Sequence, residues 1–164
     1  MFKKLVAFGT AATMMMAMGV TTFAAEGDTT TLVTKLYKND KFDASAPDSN
    51  LSMGNAAVEN TTYVEQADGT YEVTINLKES FQAYGMTGYL TDVQLDMDKD
   101  GDYDEDDAGL YEIIKSNKAV IGVTFVSDTV PTEATKYDAK FKTNVSIMPA
   151  SEGDFIIFPT VVTE

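Results

Sequence analysis

The chain has 164 residues and a formal net charge of −14 at pH 7. All 12 basic side chains are lysine, and the sequence contains no arginine, histidine, cysteine or tryptophan. This composition excludes disulfide bonds, a Ser-His-Asp triad, a cysteine nucleophile, a histidine ligand to haem and the usual zinc sites. The negative charge disfavours nucleic acid and anionic lipid as partners.

The first 24 residues are typical of a secretory signal peptide. Lys3 and Lys4 precede an apolar run rich in Ala and Met, and small residues lead to a cleavage position after Ala24. Gly and Thr interrupt the run, so a transmembrane helix is disfavoured. We therefore expect a secreted protein with no stable membrane insertion after cleavage. Its mature part, residues 25–164, has the length of a single domain and a charge of −16 once the two lysines are removed.

The first half of the mature chain alternates between apolar and polar residues, as β-strands do. Residues 31–38 predict a first strand, and the turn-rich segment 39–50 predicts a loop with some local helix. Residues 63–77 predict a hairpin that turns at Asp68-Gly69, with Tyr71, Val73, Ile75 and Leu77 on its apolar face. Residues 86–96 predict a further strand.

An acidic loop, residues 96–107, follows this strand and reads DMDKDGDYDEDD. Its spacing matches the EF-hand calcium loop, in which alternate oxygen ligands converge on Ca²⁺ and a glycine at the sixth position, here Gly101, permits a sharp turn. The predicted ligands are Asp96, Asp98, Asp100, Asp102 (through its backbone carbonyl), Asp104 and Asp107.

Two features of the acidic loop depart from the EF-hand. Asp107 takes the place of the usual bidentate glutamate, and no clear helix precedes the loop. An aspartate closes the loop in a similar way in dockerin half-repeats, which this stretch resembles locally. A solvated acidic turn that binds nothing is the alternative. If Ca²⁺ binds, we expect it to brace two strands of a protein that has no disulfides.

The remaining segments also predict strands. Residues 111–126 read as two strands joined at residues 116–118, residues 137–149 alternate again, and the apolar segment DFIIFPTVV follows. These segments indicate an all-β fold: an immunoglobulin-like antiparallel β-sandwich of about 7–9 strands, with a short helical turn near residues 51–58.

Residues 51–80, LSMGNAAVENTTYVEQADGTYEVTINLKES, resemble the opening of a NEAT (near-iron transporter) domain, the haem-binding sandwich of Gram-positive surface proteins. The similarity continues more loosely through residues 111–126 and 144–149. It implies a secreted protein that binds haem, takes part in iron acquisition, and exchanges haem with haem-carrying surface proteins that could also hold it at the cell surface.

The resemblance also implies a set of haem-contacting residues. Ser52 and Met53 match the start of the short helix that lies over one face of the haem, where the serine can bond a propionate. The family's tyrosine ligand has no counterpart in residues 149–155, and Tyr137 is the nearest tyrosine. A thioether is an accepted haem ligand, so Met53 above the ring and Met148 below it are the predicted pair. Met148 is out of phase with Val145 and Ile147, so strand alternation predicts that it points to the opposite face. Each has a simpler interpretation: an N-cap for Ser52 and core filling for the methionines.

Two other functions compete with haem binding. A calcium-stabilised adhesion or carbohydrate-binding module would use exposed aromatic side chains such as Tyr84, Tyr89 and Tyr111. An extracellular glycoside hydrolase would use paired carboxylates, but a chain this acidic produces such pairs by chance. We therefore expect a protein that is not an enzyme.

Overall fold

The computed structural model describes residues 29–83, 85–130, 133–145, 148 and 150–161, with side chains described as far as residue 159. The predicted signal peptide and Tyr84 lie outside the described residues, so the expectations for them stay predictions from the sequence. Within the described part of the chain, no helix has the length and apolar character needed to cross a membrane.

The fold is all-β, as the alternating sequence predicts. In the described part of the chain, two short helices interrupt the strands: a 3-10 helix at Met53–Ala57, within the predicted helical turn, and a single α-helical turn at Glu105–Ala108. The strands are β1 Thr30–Lys38, β2 Val58–Glu65, β3 Tyr71–Leu77, β4 Phe81–Ala83, β5 Met86–Gly88, β6 Leu90–Asp96, β7 Tyr111–Ser116, β8 Ala119–Ser127, β9 Thr135–Thr143 and β10 Ser151–Val161.

Eight of these strands form one antiparallel sheet in the order β6-β9-β10-β1-β2-β3-β8-β7, and β4 pairs with β5 in a separate small sheet. The beginning of β1 pairs with β2, and its later part pairs with β10 after a register shift between Leu32 and Thr34. The sheet curls until β6 lies against β8. Its two halves therefore enclose one core, in the manner of a sandwich or barrel.

Side-chain alternation decides which face of each strand is buried. In β3, Val73, Ile75 and Leu77 are buried in the core, as the hairpin pattern predicts. On the outer face of β1 and β10, the loop 39–50 covers a smaller aromatic cluster in which Phe42 contacts Tyr37 and Phe158. That loop contains turns and no helix, so the prediction of local helix there was wrong.

Two predicted strands differ from the observed ones. The segment 86–96 breaks at Tyr89, because the Tyr89 backbone bonds to Asn144: its amide donates to the Asn144 side chain (2.7 Å) and its carbonyl accepts from the Asn144 amide (3.1 Å). Within the segment 137–149, β9 ends at Thr143, and the described residues beyond it, 144, 145 and 148, are not in a strand. Met148 therefore lies after the strand has ended, where strand alternation no longer decides where its side chain points.

Candidate functional site

The acidic loop joins β6 to β7, the two edge strands of the large sheet. Asp96 is the last residue of β6, and Asp107 belongs to the helical turn Glu105–Ala108 just before β7. Both aspartates are almost wholly buried, with 4% and 2% of their surfaces exposed. Buried carboxylates are rare unless something compensates their charge.

Three of the predicted ligands converge. One carboxylate oxygen each from Asp96, Asp98 and Asp107 lies within 4.8 Å of the other two. They occupy positions 1, 3 and 12 of the calcium-loop pattern, which supply its first and last ligands. Three hard oxygen donors this close together have the chemistry that Ca²⁺ prefers, so the residues present fit the ion.

Backbone amides hold the carboxylates of the two buried aspartates in place. Asp96 accepts hydrogen bonds from the amides of Lys99 (2.7 Å) and Gly101 (3.0 Å). Asp107 accepts from the amides of Met97 (2.6 Å) and Asp98 (3.3 Å). The turn between them uses two left-handed residues, Lys99 at φ 64° and Gly101 at φ 92°. Backbone amides of the loop therefore bond to the carboxylates at its two buried ends.

Mutual repulsion is visible at Asp98. A hydrogen bond from the Asp100 amide works to lower the pKa of Asp98, but desolvation and the carboxylates of Asp100, Asp107 and Asp96 outweigh it and raise that pKa. Burial raises the pKa of Tyr103, in the middle of the loop, to about 12, and nearby carboxylates, first those of Glu152 and Asp138, add to this shift.

The side chains of Asp100 and Asp104 lie outside this converging group, and ligation by the Asp102 backbone carbonyl stays a prediction. The Asp100 side chain accepts from the Asp102 amide (2.8 Å), and both residues are exposed. Asp104 is the N-cap of the helical turn and accepts from the Asp106 amide (2.8 Å). The sequence pattern did not reveal this helical turn, although Asp104 followed by acidic residues is a helix-start signal.

The residues predicted to contact haem are spread between surface and core. Ser52 caps the 3-10 helix by accepting from the Gly54 amide (3.3 Å), which is the simpler of its two interpretations. Met53 is 44% exposed, whereas Met148 is 4% exposed and packs in the core together with Val145. The expectation that Met148 points away from Val145 was therefore wrong.

Tyr137 also faces inward. Its ring lies 4.9 Å from the ring of Phe125, and burial raises its pKa, which disfavours the phenolate that binds iron. A haem between Met53 and Met148 would require the Met148 thioether to leave the core. The described side chains therefore do not fit the predicted pair of axial ligands.

A groove of about 550 Å³ lies on the outer face of β2, β3, β8 and β7. One row across its floor runs from Asn60 through Asn76 and Gly122 to Ile114. The Asn76 amide donates to Asn60 (2.7 Å) and Thr62 (3.3 Å). The Ile114 side chain lies over Gly122, where an added Cβ would be 3.3 Å from Ile114 Cδ1. The remaining lining residues are Glu59, Leu77, Lys78, Glu79, Ser116 and Ile121.

Two of the aromatic side chains predicted to be exposed, Tyr89 and Tyr111, are described, and neither is fully exposed. Tyr89 and Tyr111 are half-buried, and Tyr111 packs against the core. A ligand surface of stacked aromatics is therefore not formed by these two residues.

Comparison of this chain with known family models, curated proteins and solved structures finds no match. The resemblance to NEAT domains stays a prediction from the sequence.

Proposed function

We propose that this protein is a secreted, non-enzymatic binding module whose acidic loop holds one Ca²⁺ and whose outer groove takes a neutral carbohydrate. The convergence of Asp96, Asp98 and Asp107 carries this proposal. Secretion is supported by the signal-like sequence of residues 1–24.

Electrostatics favours a cation at the acidic loop. Two almost buried carboxylates and a third beside them repel one another strongly when water is excluded. The amide hydrogen bonds use only some of the lone pairs on these oxygens, so others remain to bind an ion. Ca²⁺ suits the site because it accepts oxygen ligands in flexible geometry, whereas Mg²⁺ demands a near-ideal octahedron.

The place of the loop in the fold indicates what the ion would do. The loop connects the two edges of the large sheet: Asp96 ends the edge strand β6, and Asp107 lies in the helical turn that leads into the other edge strand, β7. An ion held by both would stabilise the curled sheet, in a chain that has no cysteine to cross-link it.

Calcium should therefore stabilise the wild-type protein by mass action on the folded state. We expect the melting temperature to rise by roughly 8 °C at a hundredfold excess of Ca²⁺ over its Kd. Asp98→Asn with Asp107→Asn should remove the acidic loop's contribution to this rise, since each asparagine keeps a hydrogen-bond acceptor but removes a charge. The control, Asp100→Asn with Asp102→Asn, makes the same charge change and should keep most of the rise. Identical melting in Ca²⁺ and EDTA would rule out the calcium brace.

The groove supports the second half of the proposal. It is lined by the side-chain amides of Asn60 and Asn76 and the hydroxyl of Thr62, and the aliphatic side chains of Ile114 and Ile121 line it as well. Neutral hydrogen-bonding groups beside apolar surface match the alternating hydroxyl and C–H faces of a sugar. The net charge of −14 disfavours an anionic polysaccharide.

Isothermal titration with neutral oligosaccharides such as cellohexaose and xylohexaose tests the groove. We expect saturable binding that Asn76→Ala weakens at least about tenfold, because it removes hydrogen-bonding groups from the floor. Gln82→Ala, which removes an exposed amide outside the groove, is the control. Binding that Asn76→Ala leaves unchanged would place the ligand elsewhere.

A haemin titration distinguishes this proposal from the haem prediction. With the ligand in the outer groove and Met148 in the core, we expect no saturable shift of the Soret band. A saturable shift that Met53→Ala abolishes, and that Met53→Leu does not restore, would establish haem binding at the predicted position and overturn the carbohydrate proposal.

A further inference from the structure

A second group of carboxylates lies on the outer face of the sheet, beside the loop 39–50. Asp154 on β10 is directly opposite Asp138 on β9, and Asp40 lies in the turn after β1. One carboxylate oxygen from each of the three lies within 4.8 Å of the other two. We call these three residues the buried triad after Asp154, the one member that is fully buried.

Asp154 is the central member of the buried triad, and it is incompletely satisfied. Its surface is 0% exposed. Its Oδ2 accepts a hydrogen bond from the Asp40 amide (2.8 Å), whereas its Oδ1 accepts none from any described residue. A carboxylate oxygen that has lost water without gaining a partner carries a substantial free-energy cost. This oxygen lies on the side of Lys136, whose ammonium group bonds the other two carboxylates of the triad.

Lys136 compensates the triad only in part. Its ammonium nitrogen lies 2.7 Å from Asp40 Oδ1 and 2.7 Å from Asp138 Oδ1, but 3.8 Å from Asp154 Oδ1. The ammonium thus bonds the two more exposed carboxylates and stays beyond hydrogen-bond distance of the buried one. One positive charge faces three negative charges.

We propose that the buried triad is a second cation site, in which Ca²⁺ displaces the Lys136 ammonium and is held by Asp40, Asp138 and Asp154. A divalent ion would bring its full charge to all three carboxylates, including the Asp154 oxygen that Lys136 does not reach. The donors are all carboxylate oxygens, which selects a hard cation over a transition metal that prefers nitrogen or sulfur. The flexible coordination of Ca²⁺ suits a site assembled from two strands and a turn.

Cross-strand pairing adds to the negative field at this site. Asp138 lies between Asp154 and Asp96 in one row across β10, β9 and β6. Directly opposed residues of antiparallel strands have Cβ atoms about 5 Å apart. The acidic loop and the buried triad are therefore neighbours on the same face, yet they use different carboxylates.

Calcium stoichiometry, measured by isothermal titration on the purified protein, tests this inference. We expect two Ca²⁺ for the wild type, one for Asp154→Asn, one for Asp98→Asn with Asp107→Asn, and none when all three changes are combined. Circular dichroism confirms folding of each variant. Should Asp154→Asn fail to fold, Asp138→Asn, at a more exposed position, takes its place.

A second comparison tests the displacement of Lys136. In the background of Asp98→Asn with Asp107→Asn, Lys136→Met should tighten Ca²⁺ binding at least about tenfold, because a competing positive charge is removed. Lys140→Met makes the same charge change on the same face of β9 and should have a much smaller effect.

Three results would overturn the second site. They are two Ca²⁺ bound by Asp154→Asn, no Ca²⁺ bound by Asp98→Asn with Asp107→Asn, or the same change in Ca²⁺ affinity from Lys136→Met and Lys140→Met. If the acidic loop binds no Ca²⁺ but the buried triad does, the titration differs from all three of these results. In that case the wild type and the acidic-loop variant would bind the same single Ca²⁺.

Discussion

Gly153, in β10, shows how closely the backbones of neighbouring elements approach in this fold. A Cβ added there would collide with the carbonyl oxygen of Tyr37 and would lie 3.3 Å from Leu36 Cδ1 and 3.2 Å from Phe141 Cε1. A backbone oxygen inside a sheet cannot move aside as a flexible side chain can. Only glycine therefore fits this position without displacing β1.

We expect Gly153→Ala to lower the free energy of unfolding by about 1–3 kcal/mol, the usual cost of overpacking a core. Urea denaturation measures it. Gly109→Ala is the control, because the nearest atom to its added Cβ is the Asp106 carbonyl oxygen at 3.8 Å and its φ is −82°. Equal losses in the two variants would mean that the close approach to Tyr37 is not responsible.

A single residue, Asp154, should also make the stability of the protein depend on pH. Burial raises the pKa of Asp154 to about 6, although the Asp40 amide and Lys136 oppose the shift. The folded state therefore binds this proton more tightly than the unfolded state, in which an aspartate has a pKa of about 3.9. The resulting stabilisation is complete below pH about 4 and is lost as the pH rises through about 6.

Asp154→Asn should remove this dependence, because asparagine resembles the protonated carboxyl group and does not titrate. In calcium-free buffer at pH 7 we expect the variant to exceed the wild type by up to about 3 kcal/mol, and the difference should shrink toward pH 4. Urea unfolding at several pH values measures it. Parallel curves for the two proteins would assign the pH dependence to other groups.

At the scale of elements, the helical turn Glu105–Ala108 determines where Asp107 lies. Four residues are too few to form a stable helix alone, and the Asp104 side chain caps this one at the Asp106 amide. Asp107 can fold back to the amides of Met97 and Asp98 because the turn is formed. The cap therefore positions a predicted calcium ligand.

Three substitutions separate capping from ligation. Asp104→Ala should cost about 1 kcal/mol of stability and weaken Ca²⁺ binding, whereas Asp104→Ser, which retains the cap, should do neither. Asp106→Ala makes the same charge change without removing the cap and should have little effect. Calcium titration and urea unfolding measure these effects. If Asp104→Ser weakens Ca²⁺ binding as much as Asp104→Ala, the Asp104 carboxylate is itself a ligand.

For the whole molecule, the acidic loop connects the two edges of a curled eight-stranded sheet. Removing Ca²⁺ should release these edges before the middle of the sheet, because local opening is easiest where backbone groups are least paired. With EDTA in place of Ca²⁺, we expect faster amide hydrogen exchange in β6, the acidic loop and β7. Exchange in β1 and β2 should be unchanged. A uniform acceleration over all strands would instead indicate global destabilisation.

The sequence by itself determined the all-β class, the turn at Asp68-Gly69 and the hairpin face that carries Val73, Ile75 and Leu77. These features are local: alternation and turn residues act over a few positions. The convergence of Asp96, Asp98 and Asp107 was predictable for the same reason, since all three lie within one short segment.

Tertiary structure alone decided the rest. Asp40, Asp138 and Asp154 are distant in the sequence, and they meet only because β10 pairs with β9 and the turn after β1 folds over them. Strand alternation could not locate Met148, because the strand ends at Thr143 and the packing of the following bend places its side chain in the core. Strand pairing and burial depend on contacts between remote segments, which a local pattern does not encode.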